Sequence, residues 1–439
     1  MRKILQYLTL LTLFFSGTAG AEIKIEHWKH VSGANIYWVN AASIPMLDVQ
    51  VDWTAGSIFD PVNKLGLASM TSVMIDKGSQ SLKEQDISEK LADLGALMDF
   101  SAGSERASLK IRTLSDPLKR DAVIALATQM MKAPSFDEKI LRREKERTIS
   151  FIREASVKPD VILSQAFDQR IYGVHPLARF PKESTVRAIT RNDLVEFYRQ
   201  SYVASGATVT VVGDIAKEDV NRLVDRLMSV LPEKSTRNFV VPMVRRLERL
   251  PVEQRTIRIP HSSQQAHITM GLPAIDRKDP DYFPLLVGNY VLGGGGFVSR
   301  LMKEVREKRG LSYSVYSYVA AGKQVGPFAA GLQTQKKQAD VALEVMRQTI
   351  ADYVNNGPTV EELEAAKQNL INGFPLRIDS NKKILDNVAN IAWVGLPLDT
   401  LDTWTDQVRQ VTVEQIKQAF SKHIDMQAMV TVIVGGDER

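Results

Sequence analysis

Two stretches of this chain repeat each other. TRNDLVEFYRQSYVASGATVTVVGD, residues 190–214, aligns without a gap on TVEQIKQAFSKHIDMQAMVTVIVGG, residues 412–436, at an offset of 222. Thr190 falls on Thr412, Leu194 on Ile416, Tyr198 on Phe420, and both stretches close on a β-rich run ended by Gly213 or Gly435. Each reads as an N-capped amphipathic helix followed by a strand. A second echo, Pro134–Glu138 on Pro358–Glu362, has nearly the same offset, and both segments are helix starts with acidic first turns. Two echoes at nearly one spacing constrain the fold more than any single motif, because they argue for a duplicated domain over a chance likeness of helix–strand units. The connector lies in LPEKSTRNFVVPMVRRLERLP, 231–251, with three prolines and dense charge.

Within each half, alternating stretches such as MLDVQVDW (46–53) and HITMGL (267–272) predict half-buried strands. Longer periodic stretches at 117–132, 336–355 and 377–393 predict helices with one apolar stripe. The expectation is an α+β protein of two duplicated halves, each an antiparallel sheet covered by helices on one face. The expected boundaries are 22–235 and 252–439, joined by a linker at 236–251.

The first 21 residues, MRKILQYLTLLTLFFSGTAGA, have basic, apolar and small-residue sections in the order of a secretory signal peptide. Their apolar core falls short of the roughly 20 residues that span a bilayer. A cleaved leader, a periplasmic location and no membrane span in the mature form are expected. The chain has no cysteine, so an oxidising compartment is tolerated without a disulfide framework. Its formal charge of +5 includes Arg2 and Lys3 of the leader, and the remaining charges are mixed, which excludes a nucleic-acid footprint.

In GLASMTSVMIDKG, residues 66–78, Leu67, Met70, Met74 and Ile75 make a helical apolar face, and positions 69, 72 and 73 lie within about one turn, so that their side chains can converge. The chain resembles the pitrilysin/insulinase family of zinc peptidases. That resemblance runs through GLASMTSVMIDKGS, IYGVHPL (171–177), the helix–strand run ending VTVVGD, NYVLGGGGFVSRLMKEVREKRGLSYSVYS (289–317) and the duplication itself. The family's inverted motif places His, Glu and His where this chain has Ser69, Ser72 and Val73. Hydroxyl and methyl groups do not replace two imidazoles for zinc, and the further family ligand falls opposite Arg153 or Glu154, so no metal site is expected in this chain. Of the six histidines, only His27 and His30 form a close pair, read as surface residues, and His175 before Pro176 is read as a structural hydrogen-bonder.

Serine-nucleophile chemistry is excluded by the missing G-x-S-x-G elbow and by Ser72 standing where S-x-x-K needs lysine. Gly293–Gly296 is followed by Phe-Val-Ser rather than Lys-Ser/Thr, so it is no P-loop; its glycines suit a sharp turn and close chain approach.

VREKRGLSYSV keeps Arg306 and Tyr313 seven residues apart. In the resembling family, such a pair in the C-terminal half contacts the substrate backbone and the oxygen that gains charge. An edge strand beside the zinc helix there pairs with extended peptide; GALMDFSAGSERASLKI (95–111) occupies that place, with Ser101, Ala102 and Gly103 leaving room. The resemblance thus implies a non-catalytic, substrate-positioning subunit. A homologous exported partner would bring zinc and the intact motif, and the substrate would be a peptide or unfolded protein. The alternative is a peptide-binding scaffold of the same fold without proteolysis.

Overall fold

The computed structural model describes residues 23–238 and 240–435; the expected leader at 1–21 lies outside them. The first sheet contains β1 (Glu26–Lys29), β2 (Asn35–Asn40), β3 (Met46–Trp53), β4 (Leu97–Ala102), β5 (Ala107–Leu114) and β6 (Thr208–Gly213), in the order β1-β2-β6-β3-β5-β4. The second contains β7 (Thr256–Ile259), β8 (Gln265–Ile275), β9 (Ser314–Val319), β10 (Gly326–Gln335) and β11 (Val430–Val434), in the order β7-β11-β8-β10-β9. Without the extra edge β1, the two orders are the same. Duplication is therefore visible in topology as well as in sequence.

The sheets are not wholly antiparallel. The β2–β6 and β7–β11 pairs run parallel, and every other pair is antiparallel. In the first sheet the cause is topological: a late strand inserted between β2 and β3, which run in opposite directions, must be parallel to one of them. In both halves a helix delivers that strand, Arg191–Ser201 before β6 and Val413–His423 before β11. Thr190 and Thr412 start these helices with reciprocal capping boxes to Asp193 and Gln415.

Coverage on one face also needs correction. The strand β11 is buried at every position, so both of its faces need apolar cover. Ile433 joins the C-terminal core, whereas Val430, Val432 and Val434 pack on Leu163, Phe167 and Ile171 of helix Pro159–Tyr172, which belongs to the N-terminal half. Reciprocally, helix Asn381–Val394 of the C-terminal half lies on β3 and β6. Each half thus lends one helix to the other's sheet.

The connector is a strap. From 240 to 251 it forms no ladder, and Val241, Val244, Leu247 and Leu250 are its half-buried positions, the three-residue period of an extended polyproline-like chain. Arg249 pairs with Asp425 at 2.6 Å, and Arg255 donates to the Leu250 carbonyl. His175 Nε2–H donates to Pro242 O at 2.8 Å while its Nδ1 accepts Leu177 N–H, a set of bonds that needs the neutral ring. Burial holds the His175 pKa below its ordinary value. A depressed base contributes stability above the unfolded value of about 6.5 and loses it as pH falls below that value. We expect wild type to lose about 1 kcal/mol more than His175→Gln between pH 7.5 and 5, read from urea midpoints; equal losses would remove His175 from the strap.

Candidate functional site

Helix Leu67–Asp76 is firmly positioned. The carboxylate of Asp60 accepts the amides of Gly66 (2.7 Å) and Ala68 (2.9 Å), closing the helix start, and Gly66 turns into it at φ +101°. Burial raises the Asp60 carboxyl to about 6 against the pull of those amides. Leu67, Met70, Met74 and Ile75 are buried, as their spacing predicts.

Positions 69, 72 and 73 do not converge. Ser69 and Val73 face outward, one turn apart, whereas Ser72 is 1% exposed and its hydroxyl lies 2.9 Å from the Tyr202 phenol. Tyr202 stacks on Tyr198 and tilts against Trp53, with ring centroids 5.0 and 5.1 Å away. Ser72 is a satisfied core hydroxyl. Of the two residues opposite the further ligand position, Arg153 is bound to Glu183 at 2.6 Å and Glu154 is exposed. The donors at this seat therefore do not fit zinc: one free hydroxyl, one methyl pair and one carboxylate at most. His27 stacks on Tyr37 and His30 pairs with Asp225, so that histidine pair is not poised as a ligand set. Among the described residues one cluster of three possible ligands exists, Asp279, Asp281 and His423 in the C-terminal half, and there Lys422 and His423 already share an Asp281 oxygen.

Beside this helix runs β4, an edge strand with β5 as its only strand partner among the described residues. Its burial alternates, with Phe100 inside and Leu97, Asp99 and Ser101 outside. Ser101 and Ala102 finish the strand, and Gly103 enters a turn closed by Gly103 N–H to Arg106 O at 2.9 Å. A Cβ at Gly103 would make only ordinary contact, 3.8 Å from Arg106 O, so the glycine leaves open space.

In the C-terminal half, helix Tyr282–Asn289 runs on into the glycine segment. Gly293 lies against β9: a Cβ there would stand 2.5 Å from Ser317 N and 2.4 Å from its Oγ. Asn289 fixes the same residue, donating to Ser317 O at 3.1 Å and accepting from its hydroxyl at 2.7 Å. The expected close approach is the reason for this glycine. Arg306 sits in the last turn of Met302–Glu307, its guanidinium 4.8 Å from the Phe297 ring centre. Lys308 and Arg309 both pair with Glu304, whereas no described carboxylate pairs with Arg306. Tyr313 is 87% exposed.

Sequence reasoning missed the ties between the halves. Glu105, in the β4–β5 turn, accepts Gln324 N–H at 2.7 Å and the Trp393 indole N–H at 3.2 Å. Nothing in local periodicity marks a carboxylate whose partners lie over 200 residues away; the run of charge at Glu105-Arg106 was the only signal.

Residues 39–180 match the family described as insulinase (peptidase family M16), and residues 188–370 match the peptidase M16 inactive domain. The chain is similar to a Helicobacter pylori protein called non-peptidase homolog YmxG, 22% identical over 444 residues and covering all of both chains. The crystal structure of a peptidase M16 inactive domain from Pseudomonas fluorescens superposes with a TM-score of 0.89 at 30% identity, over 95% of this chain and 98% of that one. The Escherichia coli periplasmic protease PqqL superposes with a TM-score of 0.80 at 14% identity, over 94% of this chain but 46% of that protein.

Proposed function

We infer the function from the premise that this chain belongs to the insulinase (M16) peptidase family, and propose that it is a non-catalytic, substrate-positioning subunit of a heteromeric zinc peptidase. The observation that carries the reading is an unequal loss. The N-terminal half keeps a well-capped helix but has Ser69 and Val73 on the surface where the family binds metal. The C-terminal half keeps an arginine that no described carboxylate pairs with, and an exposed tyrosine at family spacing.

On this reading a homologous exported chain brings the zinc and the general base. Extended peptide or unfolded protein pairs with β4 past Ser101, Ala102 and Gly103. Arg306 and Tyr313 donate to the carbonyl oxygen as it gains charge, a task for which guanidinium and phenol are suited. The compartment proposed is the periplasm, supported by the leader-like N-terminus and by the description of PqqL as periplasmic; no described helix is long and apolar enough to cross a membrane.

The test is to purify this chain and a zinc-motif homologue from the same genome, separately and mixed. Co-elution and chelator-sensitive turnover confined to the mixture are expected. A homologue equally active alone, with no complex on size exclusion, would overturn the reading, and peptide binding without turnover in any mixture would support the scaffold.

A further inference from the structure

One carboxylate between the halves is left without a partner. Asp168 lies on helix Pro159–Tyr172, and among the described residues no hydrogen bond or ion pair reaches it. Burial raises its carboxyl to about 6, with no cation to pull it back.

Its surroundings are aromatic. Tyr172 stands one turn further along the same helix face, its hydroxyl 3.4 Å from the Val325 carbonyl oxygen. Tyr316 and Tyr318 alternate along β9 on the sheet face that this helix covers, because Tyr318 pairs with Ala329, which packs with Leu163, Phe167 and Ile171. The Asp168 charge acts on the phenols of both Tyr172 and Tyr318. The rings of Tyr316 and Tyr318 stack, with centroids 6.2 Å apart and planes 15° off parallel, yet they are 45% and 41% exposed. Gly331 lets Tyr316 lie across β10, since a Cβ there would stand 2.7 Å from the phenol oxygen.

A carboxylate that has lost water without gaining a donor is unfavourable in the free chain. A guanidinium or ammonium arriving beside it makes an ion pair with a group already desolvated, and the tyrosine faces attract the same charge. A neutral side chain makes neither contact. The place also adjoins the proposed docking strand: Glu105, in the turn that follows Gly103, accepts the amide of Gln324, the residue before Val325.

We propose that Asp168, Tyr316 and Tyr318 form a subsite for an arginine or lysine side chain of an extended peptide, beside the Gly103 end of β4. This rests on the reading of the chain as a peptide binder, and it needs no zinc-bearing partner.

The test compares a short dansyl-labelled peptide carrying one arginine with its counterpart carrying citrulline, which keeps the shape and removes the charge. The isolated wild-type chain is expected to bind the arginine peptide at least about tenfold more tightly. Asp168→Asn is expected to abolish that preference while unfolding at or above the wild-type temperature, because it removes an uncompensated charge. Tyr318→Leu should weaken the preference and Tyr318→Phe should keep it. Wild type binding both peptides equally, Asp168→Asn retaining the preference, or Asp168→Asn melting well below wild type would overturn the subsite. If wild type binds neither peptide, the peptide-binding reading falls, and a titration with arginine amide decides the subsite: shifted ring signals of Tyr316 and Tyr318 in NMR spectra uphold it, and unmoved signals overturn it.

Discussion

If the proposed pairing with a zinc-bearing homologue holds, Arg306→Ala is expected to lower kcat/KM of the mixed complex by about 10²- to 10³-fold, the usual consequence of removing a donor to a developing oxyanion. The loss should fall mainly on kcat, because the donor is strongest when the oxygen carries charge. Among the described residues no carboxylate pairs with Arg306 and its guanidinium lies over Phe297, so removing the side chain takes little from the fold. Arg306→Lys keeps the charge but not the planar fork, and partial recovery is expected. An Arg306→Ala complex that turns over like wild type removes the residue from the mechanism.

Gly293→Val carries the largest expected effect on stability. A Cβ at that position meets backbone nitrogen and the Ser317 hydroxyl at 2.5 and 2.4 Å, with Leu301 Cδ1 at 2.8 Å. Neither β9 nor the glycine segment can yield without breaking the Asn289–Ser317 pair. Overpacking of about 1–3 kcal/mol and two hydrogen bonds of about 1 kcal/mol each put the loss near 3–5 kcal/mol. Gly296→Ala is the control, since its φ of +63° carries strain while the surrounding space is open. About 1 kcal/mol is expected there, and thermal unfolding of the two variants distinguishes steric from conformational cost.

The duplication was legible because a capping box and the strand after it are local features, repeated at Thr190 and Thr412. Which sheet a helix covers was not. The stripes on 159–172 and 381–394 declare apolar faces but carry no address, and each helix lies on the other half's sheet. The parallel pair in each sheet was hidden for the same reason, since strand insertion is a long-range event. At the degenerate metal seat, the loss of ligands could be read directly from residue types. The orientation of Ser72 could not, because helical spacing places it equally near Ser69 and the apolar face, and Tyr202, 130 residues away, decides the matter. The strand β4 lies at the edge of its sheet, and the ties at Glu105 and Arg106 depend on partners that only the fold brings close.

Metal content of the isolated chain tests the central claim most directly. After purification without a partner, removal of adventitious metal and equilibration with micromolar zinc followed by gel filtration, the account predicts zinc far below one equivalent and no peptide cleavage. Retention of about one zinc per chain together with chelator-sensitive cleavage would contradict it.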